Sequence, residues 1–185
     1  MQHCNNMNKK FLLPLALLLP IGVAAQTLTP DDGSSAAKFT IKNFGLNVGG
    51  TFKGLQGKIT FLPANLAAST FVVTLDAATI NSGNGKRDKH LKKEEYFNVA
   101  KFPTLQFISK SITAGDRSGS YTMAGILTIK GIAKIITFPF TAILTGGGYQ
   151  FAGSFSINRR DFKVGGNSLV LSDMLTVSLN VSAKK

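Results

Sequence analysis

From Lys38 onward the chain consists of runs in which apolar and polar residues alternate, and a period of two restricts the fold more than any other feature of the sequence. Phe39 and Ile41 alternate with Lys38, Thr40 and Lys42, while Phe71, Val73 and Leu75 alternate with Thr70, Val72, Thr74 and Asp76. Successive side chains of a strand point to opposite faces, so each run has one apolar face. The pattern recurs over residues 51–61, 104–112, 120–130, 134–144, 149–157 and 169–181, which makes eight predicted strands. The links Gly115 to Gly119, Gly131-Ile132-Ala133 and Gly146-Gly147-Gly148 are short and carry glycine. They leave no room for helical crossovers, so the strands after residue 104 are predicted to form an antiparallel meander. A sheet of this size removes its exposed edges by closing on itself. The expected fold class is therefore all-β, an extended eight-stranded antiparallel β-barrel. Gly49-Gly50 reads as a bend or a hairpin turn.

One segment departs from the pattern. Between residues 86 and 100 the chain is polar, and Lys89 to Tyr96 contains neither glycine nor proline, which predicts one short helical insertion. Pro103 ends the insertion and opens a strand, a position that tolerates proline.

The N-terminus reads as an export leader. Lys9 and Lys10 precede an apolar run from Phe11 to Val23 that ends in Ala24 and Ala25. The run, about 13 residues, is short of the roughly 20 that a membrane-spanning helix needs. Residues 1–25 are thus expected to be a cleavable signal peptide, residues 26–185 a single exported and soluble domain, and the destination the periplasm. Met7 would begin a leader of more usual length. The single cysteine, Cys4, leaves with the leader. Disulfides, thiolate metal sites and cysteine nucleophiles are excluded from the mature chain. Of the 21 Lys and Arg residues, Lys9 and Lys10 lie in the leader; the remaining 19, set against 9 Asp and Glu, give a net charge of +10. The excess is spread along the chain. It is read as a solvated surface or as attraction to an anionic membrane surface, with nucleic acid disfavoured for an exported protein.

The inventory for catalysis is thin. His90 is the only histidine outside the leader, and Asp88 and Ser82 are near it in sequence. Residues two apart on a helix do not face each other, and nothing sets a serine on a strained turn. No metal-ligand spacing occurs, and Gly83-Asn84-Gly85-Lys86 lacks the remaining residues of a phosphate loop. Two clusters set carboxylates beside guanidinium groups: Arg87 with Asp88, and Arg159-Arg160-Asp161-Phe162. Each is read either as an ion-pair clasp at the barrel rim or as a polar contact at a cavity mouth. Thirteen of the 14 phenylalanines follow the leader, and tryptophan is absent. A large aromatic interior follows, and barrels of eight strands are either filled by side chains or hold one small ligand.

Ordered motifs add to this reading. Phe39-Thr40-Ile41-Lys42 with Phe44-Gly45 comes first, then Gly50-Thr51-Phe52-Lys53-Gly54, then Arg87-Asp88-Lys89-His90-Leu91 with Tyr96-Phe97 and Phe102-Pro103. Gly125 to Gly131, Phe138-Pro139-Phe140 and Asn158-Arg159-Arg160-Asp161-Phe162 follow. In order and spacing they resemble the YceI family of periplasmic, lipocalin-like polyisoprenoid-binding proteins over almost the whole mature chain. The resemblance implies a lipocalin-like barrel with a long apolar pocket for a polyisoprenoid, an isoprenoid quinone or a fatty amphiphile. This chain has Asn43 where the family often has histidine, and Lys163 where it often has glycine. The resulting expectation is a non-enzymatic binding protein without cofactors whose bound ligand is an isoprenoid or acyl lipid. Its apolar lining is assigned to Phe39, Ile41, Phe52, Phe71, Val73, Leu105, Phe107, Leu127, Phe138, Phe140 and Phe155, and its polar mouth to Arg87, Asp88, His90, Arg159 and Asp161. Two alternatives stay open: an enzyme acting on such a lipid through His90 oriented by Asp88, and an interaction barrel with a filled core. A dimer is compatible with the sequence.

Overall fold

The computed structural model describes residues 26–185; the expected leader, residues 1–25, lies outside the described residues. Among the described residues, strand β1 (Thr27–Pro30) is followed by β2 (Ala36–Asn43), β3 (Leu46–Thr60), β4 (Thr70–Asn81), one α-helix, α1 (Gly85–Leu91), β5 (Thr104–Ala114), β6 (Ser120–Ile129), β7 (Ile132–Thr145), β8 (Gly148–Asn158) and β9 (Leu171–Lys184). Strands β2 to β9 pair antiparallel in chain order, and β9 returns to β2, closing an eight-stranded barrel. These are the eight expected strands, with shifted ends. A ninth, β1, completes the seam. The pairing of β2 with β3 begins at the Ala37 to Phe52 pair, and beyond that pair β3 and β9 continue; β1 lies between them, with Leu28 opposite Ile59 and Pro30 opposite Ala183. Four residues closed by a proline are too few to carry a period-two signal.

Three hairpins turn in two residues, and two of them, Phe44-Gly45 and Lys130-Gly131, have positive φ at both positions, 50° and 76° and 52° and 73°. Positive φ at both positions matches the twist of the flanking strands. The second turn is therefore Lys130-Gly131, one residue earlier than the link the sequence suggested. Gly49-Gly50 is no turn at all. Both residues lie inside β3, and a Cβ on Gly50 would come within 2.5 Å of the Phe39 ring, which folds across the strand there. Gly125 does the same for Phe107, at 2.4 Å.

The expected short helical insertion is present as α1, its bounds shifted from the Lys89 to Tyr96 stretch to Gly85–Leu91. Asn84 caps it, its Oδ1 accepting from the N–H groups of Lys86 and Arg87 at 3.1 Å. After Leu91 the chain coils into successive turns, with Phe97 N–H reaching Leu91 O and Asn98 at a φ of 47°. Continued helix would carry Tyr96 and Phe97 around the helical face. The turns instead pack both against Ile129, Ile157, Phe162 and Val164.

The two ends of the barrel differ. At the end formed by the 61–69, 115–119 and 146–147 connections, Phe61 is ringed by Phe71, Tyr121, Phe140, Tyr149 and Phe151, with centroids 5.1 to 6.3 Å away and steep interplanar angles. Positive ring edges meet negative faces, which adds about 0.5–1.5 kcal/mol per pair to the area buried. This end is plugged. The opposite end carries the insertion, the two tight hairpins and the 159–170 loop.

Candidate functional site

Above the plug lies a cavity of about 610 Å³ that opens at the insertion end. Its size falls within the roughly 300–1,000 Å³ of small-molecule sites. Every strand of the closed barrel contributes, and spacing by two brings in Phe39 and Ile41 from β2, Leu105 and Phe107 from β5, and Leu175, Val177, Leu179 and Val181 from β9. Phe52, Val73, Leu127, Phe138 and Phe155 line it as well. Phe71 and Phe140, assigned to the lining from sequence, sit instead in the plug. Both face inward, but at the height where Phe61 fills the barrel. Between plug and cavity is a void of about 70 Å³. Phe107 and Phe138, 5.7 Å apart, wall both spaces, and Phe155 packs against Phe138 at a tilt with centroids 4.7 Å apart, so these rings form the cavity floor.

The interior offers little to a polar guest. Among the described residues, no buried side-chain nitrogen or oxygen lacks a hydrogen-bond partner. No group of three or more His, Cys, Asp or Glu side chains among them is arranged to hold a metal ion.

At the mouth the two polar clusters have different roles. Arg87 Nε and one terminal nitrogen donate to the hydroxyl and carbonyl of Ser82 at 2.7 and 2.6 Å, while Asp88 accepts from the Ser82 N–H at 2.8 Å and from its hydroxyl. Those Ser82 bonds hold the Asp88 carboxyl below the usual carboxylate range. The Arg87-Asp88 pair thus fastens α1 to the end of β4. Arg87 borders the cavity, whereas Asp88 does not. His90 also borders it, half exposed, with Nε2 3.3 Å from Glu95 Oε2 and its ring edge-on to Tyr96. The orienting carboxylate proposed for His90, Asp88, is occupied by Ser82; Glu95 stands in that position instead. Sequence spacing gave no hint of this, because the pairing depends on the turns after Leu91.

Arg159 is buried, 3% exposed, and behaves as a strut. Its guanidinium donates to the carbonyls of Ser172, Val164 and Gly166 at 2.9 to 3.0 Å and to Asp173 Oδ1 at 2.7 Å. Asp173, not the adjacent Asp161, is its carboxylate partner, and Asp161 lies exposed away from the cavity. Lys130 joins the insertion to the loop, Nζ donating to the carbonyls of Glu95 and Lys163 at 3.2 and 2.9 Å. Burial pushes its pKa down. Asn43 and Tyr96 complete the rim, together with Phe97, Asn167 and Ser168, none of which the sequence pattern singled out as site residues.

Known proteins share this architecture. The profile of the YceI-like domain matches residues 28–183. Proteins designated UPF0312 from Shewanella denitrificans and Pseudomonas aeruginosa are 32% and 33% identical, over 83% and 85% of this chain and 84% and 88% of theirs. Among solved structures, Burkholderia cenocepacia BcnA superposes with a TM-score of 0.78 at 25% identity, covering 84% of this chain and 99% of BcnA. The Campylobacter jejuni YCEI protein gives 0.67 at 29%, over 76% and 86%. A polyisoprenoid binding domain from Saccharophagus degradans, implicated in plant cell wall breakdown, gives 0.68 over 85% and 97%. Its identity is 14%, so that likeness concerns the fold.

Proposed function

The chain belongs to the family of YceI-like domains, and from that premise we propose that it is an exported carrier which takes one long apolar chain, prenyl or acyl, into the barrel. One observation carries this reading: a cavity of about 610 Å³, walled by aliphatic and aromatic side chains, closed below and open above. Burial supplies the affinity. At ~0.8 kcal/mol per methylene, a ten-carbon chain gains several kcal/mol after ordering costs, with no polar motif in the interior. The polyisoprenoid binding assigned to the Saccharophagus degradans domain agrees with a prenyl guest. The polar head would rest at the mouth beside Arg87 and His90, and the periplasm would be the site of action.

The test is extraction. The full-length chain is produced in a host with membranes, and the purified protein is extracted with organic solvent for mass spectrometry. A stoichiometric prenyl or acyl lipid is the expected result. Folded protein that yields an empty extract, and takes up no added prenyl alcohol, would overturn the reading.

The pairing of His90 with Glu95 at the mouth favours one second reading, an enzyme acting on the bound lipid with His90 as acid or base. Replacing His90 with alanine separates the two. A carrier keeps lipid uptake and has no turnover to lose, whereas an enzyme still binds and stops turning over.

A further inference from the structure

We propose that the rim of the open end docks on an anionic lipid bilayer, setting the cavity mouth against the phase in which an apolar ligand dissolves. The route of ligand transfer rests on the carrier reading above; the docking surface itself does not.

The rim exposes large apolar side chains that no other described residue covers. Phe44 and Leu46, at the tip of the β2–β3 hairpin, are 74% and 72% exposed, and Leu169 in the 159–170 loop is fully exposed. Phe44 N–H donates to Val170 O at 2.9 Å, which joins the hairpin tip to that loop as one apolar edge. Phe44 also occupies a left-handed conformation, φ 50°, at a turn position where asparagine, aspartate or glycine is preferred. Bulky residues persist in that region at a cost, and here the cost holds an aromatic ring out in solvent. The edge is continuous with the cavity, since Phe44 and Val170 line both.

Charge agrees with the placement. The connections at the open end, residues 82–103, 130–131 and 159–170, carry nine Lys and Arg against four Asp and Glu, leaving out Arg159, which Asp173 neutralises. The connections at the plugged end, residues 61–69, 115–119 and 146–147, with Lys185, carry two basic residues and one acidic one. The basic excess that looked evenly spread along the sequence is polarised by the fold. Apolar tips ringed by cations match a bilayer, where the tips enter the acyl boundary and the cations meet the headgroups. A second copy of the chain fits less well, because it would bring one cationic rim against another.

The test uses the processed protein obtained from the full-length chain, sedimented with vesicles of phosphatidylcholine containing phosphatidylglycerol and with vesicles of phosphatidylcholine alone. Binding is expected to the anionic vesicles and to weaken as salt is raised. The double variant Leu46→Thr, Leu169→Ser should bind them about tenfold or more weakly, with unchanged thermal stability and unchanged uptake of a fluorescent prenyl probe from solution. Wild-type protein left in the supernatant, or a double variant that sediments as well as wild type, would overturn docking. So would gel filtration showing a wild-type dimer that the variant dissociates, which would assign the rim to a second copy. Probe uptake without vesicle binding defeats docking and leaves the carrier reading standing. Vesicle binding without uptake does the reverse.

Discussion

Lys163 shows the local cost that one residue can carry. It sits at φ 52°, a conformation that disfavours residues with a Cβ. Replacing Lys163 with glycine should raise stability by up to about 1 kcal/mol, read as a higher denaturation midpoint, because its side chain makes no bond that the glycine would lose. Arg159 predicts the opposite. Substitution by methionine leaves three carbonyls and Asp173 without their donor, and should cost about 3 kcal/mol in chemical denaturation. The Lys184 ammonium, 2.6 Å from Asp31, holds that carboxyl at about 2, below its ordinary 3.8. The folded state thus keeps the carboxylate charged where the unfolded chain protonates it. The resulting stability is complete above pH 3.8 and is lost as the pH falls through about 2. In Lys184→Met the fall in melting temperature across that window should be shallower than in the wild type.

At the scale of elements, the floor between cavity and plug is the part most open to change. Phe107 and Phe138 separate the main cavity from the void of about 70 Å³. Phe138→Ala should join the two, shift the preferred prenyl alcohol to a longer chain in a binding series, and cost about 3–5 kcal/mol. Phe138→Leu gives the same direction at lower cost if the alanine variant is too unstable. The strands themselves were legible, because alternation and short glycine links are local signals. The insertion was legible only as a departure from alternation. Its helix begins at Gly85 because Asn84 caps it, and it stops at Leu91 because Tyr96 and Phe97 are drawn into a cluster with residues more than 30 positions away. Strand β1 was missed for a related reason: its place is created by the divergence of β3 and β9, which no four-residue segment encodes.

For the molecule as a whole, a carrier should be held together by its cargo. A ligand at a hundred times its Kd adds about 2.7 kcal/mol, which for a domain of this size raises the melting temperature by about 5 to 10 °C. Delipidated protein titrated with a prenyl alcohol in a thermal scan measures this directly. The sequence by itself determined a closed antiparallel meander without disulfides and with an aromatic interior, since period, link length and composition are properties of neighbouring residues. It identified inward faces but not heights. Phe71 and Phe107 both point into the barrel, yet one belongs to the plug and the other to the cavity wall, because height depends on the stagger of all the strands and on which large rings meet Phe61 across the axis. The same cause separated Asp161 from Asp173 as the partner of Arg159 and gathered dispersed lysines around one end. Only the tertiary structure decided which end is filled, which is open, and what charge surrounds the opening.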